Sequence, residues 1–497
     1  MTLTAGIDAG TQSVKVVVYD DETRRVVASA NAPLELVSGD DGTREQHPDT
    51  WVTAVHACFS GIDAAVRRNV RALGVSGQQH GFVPIGADGE VLAPAKLWCD
   101  TSSIAECLEI TDAVGGAERC IALAGNPILA GYTASKLPWT RKHRPDVYRR
   151  LAKILLPHDY LNFWLTGEAF CEHGDASGTG WMDVRRRQWS PVLLHAIDPH
   201  RDLTSCLPPL VATGSTFPIQ ARRADELGLS HDVLVAVGGG DNMMAAIGTG
   251  CVAPGRLAMS LGTSGTLFAY SDVPVIDPAG GWAAFCSSTG GWLPLICTMN
   301  CTVATETIAK LFGFGTRAGD AHILATAPGA SGLTLLPFLN GERTPDLPLG
   351  KGVLTGLAAH NASAAHFYRA AMEGATFALK YGYDAFLSAG MQFDRIVLTG
   401  GGASSAAWRQ MVANVFGLPV EVPREAEGAA FGAALQALWA LSHAKGEGKP
   451  LPELVDAHVT KDEALTCTPD VGRVEAYREP YQRYLEHLAA VKHIYAA

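Results

Sequence analysis

Five short glycine-rich junctions follow apolar stretches of this chain: Asp8-Ala9-Gly10-Thr11-Gln12, Gly238-Gly239-Gly240-Asp241-Asn242, Gly262-Thr263-Ser264-Gly265, Gly400-Gly401-Gly402-Ala403-Ser404-Ser405 and Glu427-Gly428-Ala429-Ala430. Glycine at a strand-to-turn junction lets backbone amides approach an anion closely, and a neighbouring Thr or Ser adds a hydroxyl donor. The turns at 10–13 and 262–265 have the composition to clamp a polyphosphate from two sides, although each taken alone is also an ordinary hairpin. Asp8 ends the first strand beside such amides, where Mg²⁺ would be wanted. That cation keeps waters and uses few carboxylates, so one or two Asp suffice. Asp241 stands behind three glycines at another strand end. There it can accept or orient the proton of a hydroxyl attacking a phosphoryl group, and it can equally cap the helix that follows. Gly400 to Ala403 suits either a flat adenine-type ring lying against backbone or a tight strand-to-helix turn. The sequence GxxxxGK[ST] does not occur, which disfavours a P-loop site.

The elements that must carry these residues are legible in outline. Leu3–Ile7, Ser13–Tyr19 and Val26–Ala32 read as three strands joined by short turns. Trp51, Val55, Phe59, Ile62 and Val66 give helical spacing over Thr50–Val70, and strand returns at Val70–Ser76. Leu257–Leu261 and Thr266–Tyr270 repeat the opening strand–turn–strand unit, with Gly262-Thr263 in the place of Gly10-Thr11 and Asp272 in that of Asp20. This predicts two domains of shared topology with a ligand between them. Val233–Val237 and Ile396–Thr399 read as strands, while Met243–Ile247 and Trp408–Phe416 read as helices. The stretch from Gly446 to Asp470 reads as loop, and Val474–Tyr495 as a polar outer helix.

The chain has 497 residues, beyond the ~250–300 at which single cores stop growing. Hydrophobic residues make up 47% and charged ones 18%, which excludes a disordered chain. A net charge of −11 with no basic patch argues against nucleic acid as a partner. No run of 18 apolar residues predicts a membrane span, and no leader peptide is visible. Eleven scattered cysteines without CxxC read as reduced thiols of a cytoplasmic protein, with Cys297 and Cys301 on one helix face.

Ile7-Asp8-Ala9-Gly10-Thr11-Gln12-Ser13-Val14-Lys15 matches the phosphate motif IDxGTxSxK. Gly131-Tyr132-Thr133-Ala134-Ser135-Lys136-Leu137-Pro138-Trp139 resembles a mid-chain signature, with Thr140 where a large apolar residue is usual. A second signature runs from Gly352 through Gly356-Leu357 to Ala370-Ala371-Met372-Glu373, and Gly341 to Pro345 reads GERTP. With GGGDN, LGTSG and GGGASS in order, the whole chain resembles the FGGY carbohydrate kinases of the sugar-kinase, chaperone and actin ATPase superfamily. Ser76-Gly77-Gln78-Gln79-His80-Gly81, Leu155–Tyr160 and Asp175–Trp181 are similar to segments of the xylulokinases within it. The segment Leu97-Trp98-Cys99-Asp100-Thr101-Ser102 departs from the common WNDGR in lacking the Arg, and Gln79 stands where Met is usual.

The resemblance implies an α/β fold of two ribonuclease H-like domains, 1–247 on the sugar side and 248–497 on the nucleotide side, with the active site in the cleft between them. It implies transfer of the γ-phosphoryl group of ATP, with Mg²⁺, to a ketopentose, foremost D-xylulose, with ribulose or glycerol as the alternatives. A nucleotide-driven binding module of the actin or chaperone type is the more remote reading. Asp241 and Asp8 are the implied catalytic pair, Asp8 holding Mg²⁺ through water and Asp241 a second candidate for it. Gln79, His80, Trp98, Asp100, Asp241 and Asn242 face the sugar, Trp98 being equally readable as a half-buried core aromatic. Gly10, Thr11, Gln12, Ser13, Lys15, Gly262, Thr263, Gly401, Gly402, Ala403 and Ser405 face ATP. A homodimer is left open.

Overall fold

The computed structural model describes residues 2–315, 318–425 and 427–495. The chain divides into two compact units. The first comprises Met1–Val252, Ser271–Pro294 and Glu427–Val459, and the second Ala253–Tyr270, Leu295–Ala426 and Thr460–Ala497. A division between 247 and 248 differs from this in two returning segments. One of them contains the Gly428–Ala444 helix, whose small residues cover the first unit's sheet.

That sheet contains β1 (Leu3–Ala9), β2 (Ser13–Asp20), β3 (Arg25–Pro33), β4 (Val70–Gly77), β5 (Thr216–Pro218), β6 (Leu234–Ala236) and β7 (Gly239–Gly240). The order is β5-β6-β4-β1-β2-β3, with β7 also on β4. β1, β2 and β3 form an antiparallel meander, whereas β4 runs parallel to β1, and β6 and β7 run parallel to β4. Side chains alternate across a strand, so β1 has two faces. Leu3, Ala5 and Ile7 join Val16, Val18, Trp51, Val55 and Phe59 in one core. On the other face, Gly6 lies beneath the Gly428–Ala444 helix, and a Cβ built there would sit 1.8 Å from the Ala430 carbonyl oxygen. Ala72, Ala236, Ala437, Ala440 and Leu441 fill the remainder of that face. Small residues are needed because sheet and helix backbones nearly touch.

In the second unit, β8 (Gly255–Leu261), β9 (Gly265–Ala269) and residues 295–298 of β10 (Trp292–Thr298) form the meander. β11 (Phe393–Thr399) runs parallel to β8, and β12 (Val420–Glu421) parallel to β11. The order β10-β9-β8-β11-β12 and its strand directions repeat β3-β2-β1-β4-β6. The repeat seen at Gly10 and Gly262 therefore extends to a five-strand topology in each unit.

Several expectations need correction. The helical stretch over 50–70 is two helices, Pro48–Ser60 and Ala64–Arg68, because Gly61 caps the first. The supposed loop 446–470 contains a helix, Leu451–His458, with Leu451, Leu454, Val455 and His458 buried at helical spacing. Its Pro/Gly-rich approach masked that pattern. The terminal helix is broken at Tyr477 into Val471–Ala476 and Arg478–Tyr495. Cys297 lies in β10 and Cys301 precedes the Thr302–Phe312 helix, so the two do not share a helix face. Among the described residues, no helix is long and apolar enough to cross a membrane.

Candidate functional site

Strand register brings the first group of candidate residues together. Asp8 pairs with Lys15 across β1 and β2, and with Ser76 across β1 and β4. Ser76 in turn pairs with Gly239, and Gly77 with Gly240, so the parallel strands β1, β4 and β7 end at one edge. Ligands of open α/β sheets gather at such carboxyl ends. Ser76 Oγ donates to Asp8 Oδ1 at 2.7 Å. Burial raises the Asp8 carboxyl above its ordinary range, with the Ser76 bond and Lys15 opposing. The Gly10 amide closes the turn on the Ser13 carbonyl at 3.0 Å. Thr11 Oγ1 donates to Gln78 Oε1 at 2.9 Å and accepts from Trp98 Nε1 at 3.0 Å. Gln12 uses its carbonyl to anchor Leu34 N. Lys15 is paired with Glu427 at 2.6 Å, so its ammonium already has a carboxylate partner.

Asp241 opens the Asp241–Gly248 helix, and Gly240, rather than Asp241, is its cap residue. Asp241 Oδ1 accepts from Asn242 N at 2.7 Å and from Asn242 Nδ2 at 2.9 Å. Asn242 Nδ2 also donates to Gln79 Oε1 at 2.7 Å, while Gln79 Nε2 meets Met243 Sδ at 3.1 Å. Both ends of the Gln79 amide thus hold protein groups, and Gly240 makes room: a Cβ there would lie 2.6 Å from Gln79 Cγ. Burial, with the Asp8 charge adding to it, pushes the Asp241 carboxyl up to about 7 against the opposing bonds from Asn242. A carboxyl poised near neutrality is suited to accepting a proton.

His80 follows Gln79 with a φ of 62° and is buried. Its backbone N donates to Asp175 Oδ1 at 3.2 Å. Its ring lies between Tyr132 and Phe285, with centroids 5.2 Å from each.

The other sugar-side candidates divide. Trp98 is 42% exposed and is tethered to Thr11, so it is not a core aromatic. Asp100 is fully buried. Its carboxylate accepts from Arg44 N, Lys96 Nζ, Ser102 N and Ser102 Oγ. That saturates it as the anchor of its loop, and the structure does not present it to a ligand.

In the second unit, the carbonyls of Gly262 and Thr263 accept from Thr302 N and Cys301 N, each at 2.9 Å, which seats this turn at the start of the Thr302–Phe312 helix. At the β11 end, Gly400 has a φ of 84°, and a Cβ there would meet Leu261 backbone at 2.7 Å. A Cβ on Gly401 would have nothing within 4 Å, so its Cα faces open space. Gly402 is buried against Leu261, and Ala403 gives its carbonyl to Arg409 at 2.7 Å. Ser405 caps the Ala406–Phe416 helix, accepting from Trp408 N and donating to Asp320 Oδ1. The structure therefore occupies the Ser405 hydroxyl structurally.

The description of the N-terminal domain of the FGGY family of carbohydrate kinases matches residues 3–248, and that of its C-terminal domain matches residues 257–441. A xylulose kinase of Haemophilus influenzae is 40% identical over 493 residues, covering 97% of this chain and 99% of the relative. The chain belongs to the FGGY carbohydrate kinases. A xylulose kinase of Escherichia coli is 34% identical over 493 residues, covering 97% of this chain and 99% of its own. The crystal structure of a xyloylose kinase from Brucella ovis superposes with a TM-score of 0.90 at 32% identity, over 99% of this chain and 100% of that one. As a carbohydrate kinase the protein uses ATP as co-substrate, and its two-domain α/β architecture is the family's.

Several neighbours of these candidate residues were not singled out by the sequence. Ser76 opens a segment noted for resemblance, but its bond to Asp8 is visible only through strand register. Asp175 and His158 fall in segments noted for resemblance, but their position behind His80 depends on the fold.

The crowding of Asp241 has a consequence for stability. Its folded pKa of about 7 lies above its ordinary 3.8, so between these values the folded state holds a proton that the unfolded state lacks. Stability then falls as pH rises through the window. Asp241→Asn removes the buried charge. The unliganded variant should melt a few degrees above wild type near about pH 8, the difference fading toward about pH 4. Paired thermal melts across that range check this, and a variant less stable at both ends contradicts it.

Proposed function

We propose that the protein phosphorylates D-xylulose to D-xylulose 5-phosphate with ATP and Mg²⁺. The observation that carries phosphoryl transfer to a sugar hydroxyl is Asp241, a carboxyl held near neutrality at a strand edge and oriented by Asn242 and Gln79. The Haemophilus and Escherichia relatives, both xylulose kinases, support the sugar.

The terminal hydroxyl of the sugar gives its proton to Asp241 as its oxygen bonds to the γ-phosphorus. The bond from that phosphorus to the bridging oxygen breaks, leaving ADP. His80 and Gln79 orient the sugar, Gln79 acting in addition as a brace for Asn242. The Gly10 and Thr11 turn, with Ser13 beside it, and the Gly262 and Thr263 turn contact phosphate, and the open Cα of Gly401, with Gly402 and Ala403, receives the nucleoside.

Asp8 and Asp241 are partly buried carboxyls, both raised above their ordinary range and with the Asp8 charge adding to the rise at Asp241, an oxygen-donor pair that suits a hard cation. Asp8 would hold Mg²⁺ through water. When bound, Mg²⁺ supplies neutralisation of phosphate charge. The buried thiols of Cys58, Cys171, Cys286 and Cys301 support a reducing, cytoplasmic setting.

ADP release measured with D-xylulose, D-ribulose and glycerol tests the reading. D-Xylulose should give the highest kcat/KM. A ten-fold preference for another acceptor, about 1.4 kcal/mol, replaces the sugar but not the chemistry. No release with any acceptor overturns both.

A further inference from the structure

Behind His80 lies a buried row in which imidazole and carboxyl side chains alternate. His80 Nδ1 is 3.3 Å from Asp175 Oδ1, which also accepts from the His80 backbone N. The other oxygen of Asp175 accepts from His158 Nδ1 at 2.8 Å, and His158 Nε2 lies 3.0 Å from Asp159 Oδ1. All four side chains are buried, Asp175 and His158 completely. The short His173–Ala176 helix that carries Asp175 is itself fixed, because Glu172 accepts from Gly174 N and Asp175 N, each at 2.6 Å, and from Ser288 Oγ at 2.9 Å.

Burial alone would favour neutral forms along this row; it prevails at Asp159, whose carboxyl it pushes up to about 7, whereas the ionic contacts prevail at Asp175 and His158. The Asp175 carboxyl is held down to about 2 by His158 and His80, and His158 is raised to about 9 by Asp159 and Asp175. On the opposite side, the His80 carbonyl accepts from Thr133 Oγ1 at 3.0 Å and Lys136 Nζ at 3.4 Å. A non-glycine residue in the left-handed region persists only where its surroundings over-determine it, and here backbone N, carbonyl and ring are each gripped.

Resting on the reading of His80 as a sugar contact, we propose that Asp175, braced by His158, is a positioning residue for His80, fixing the ring so that its far nitrogen meets a sugar hydroxyl. One carboxylate oxygen serves both the backbone and the ring of His80, so Asp175 sets the rotamer and the left-handed backbone together. An Asp serving only to pair buried His158 would have no need of that second contact.

The experiment compares wild type with Asp175→Asn, His80→Gln and the double variant, measuring KM for D-xylulose and for ATP. Asp175→Asn should raise the sugar KM about ten-fold and leave the ATP KM within two-fold, and the double variant should be no worse than His80→Gln alone. Gly178→Ala provides an independent arm in which Asp175 stays intact. Its added Cβ would lie 1.8 Å from His80 Cε1, so the ring must leave its place. The same selective rise in sugar KM is expected. Equal changes in both KM values, or penalties that multiply in the double variant, overturn the positioning role while leaving the kinase reading intact. Wild type without turnover on D-xylulose, ribulose or glycerol overturns the kinase reading, and this role with it.

Discussion

Asp241→Asn lowers kcat for sugar phosphorylation by about 10²–10⁴-fold, the range for loss of a general base, and a loose phosphoryl transition state places it toward the lower end. The substitution keeps size and shape, so Asn242 and Gln79 retain a partner. What disappears is the proton acceptor. Nucleotide affinity stays within a few-fold, because in the proposed reading the phosphate contacts are made by the glycine turns and not by Asp241. Turnover and ATP binding are measured side by side on the folded variant, whose raised melting temperature at alkaline pH reports that it is intact. Turnover within three-fold of wild type would leave Asp241 as the first residue of a helix and nothing more.

Gly432→Val unfolds the first unit or weakens it by about 3 kcal/mol, the upper range for overpacking. A Cβ on Gly432 would sit 1.8 Å from the Met244 carbonyl oxygen, and one on Gly248 would sit 1.9 Å from the Gly428 carbonyl oxygen. The Gly428–Ala444 and Asp241–Gly248 helices therefore meet backbone to backbone. Neither can move aside, because the first is also pressed on β1 through Gly6. Any fraction that still folds must do so by shifting the helix that begins with Asp241, and should show reduced kcat. Denaturant unfolding together with turnover per folded molecule checks this. Wild-type midpoint and kcat would refute the close packing. Leu311→Ala, on a side chain 69% exposed, serves as the control that should change little.

The candidate residues were legible because their constraints are local. A glycine that must admit a backbone amide, or an Asp at the end of an apolar strand, is recognisable from its immediate neighbours, and Gly10, Asp8, Asp241 and Gly262 were found that way. The repeated topology was visible as far as one strand–turn–strand unit, since hairpin partners are sequence neighbours. The same locality explains the misreadings. The Leu451–His458 helix hid behind prolines that in fact begin it, and the Thr50–Val70 stretch read as one helix because its spacing survives the break at Gly61. Asp100 and Ser405 resembled ligand contacts by position, yet Arg44, Lys96 and Ser102 saturate the one, and Trp408 and Asp320 occupy the other.

The sequence by itself determined the family and singled out the two glycine turns and the two carboxylates as candidates, all written in short runs of residues. The tertiary structure alone decided which side chains stand together. Ser76 reaches Asp8 through parallel strand register across 68 residues, and Asp175 reaches His80 across 95. The Gly428–Ala444 helix returns some 180 residues after Gly248 to lock the helix of Asp241. Such pairings depend on loop closure and packing over long separations, and no local pattern of residue types encodes which distant partner a buried polar group will find.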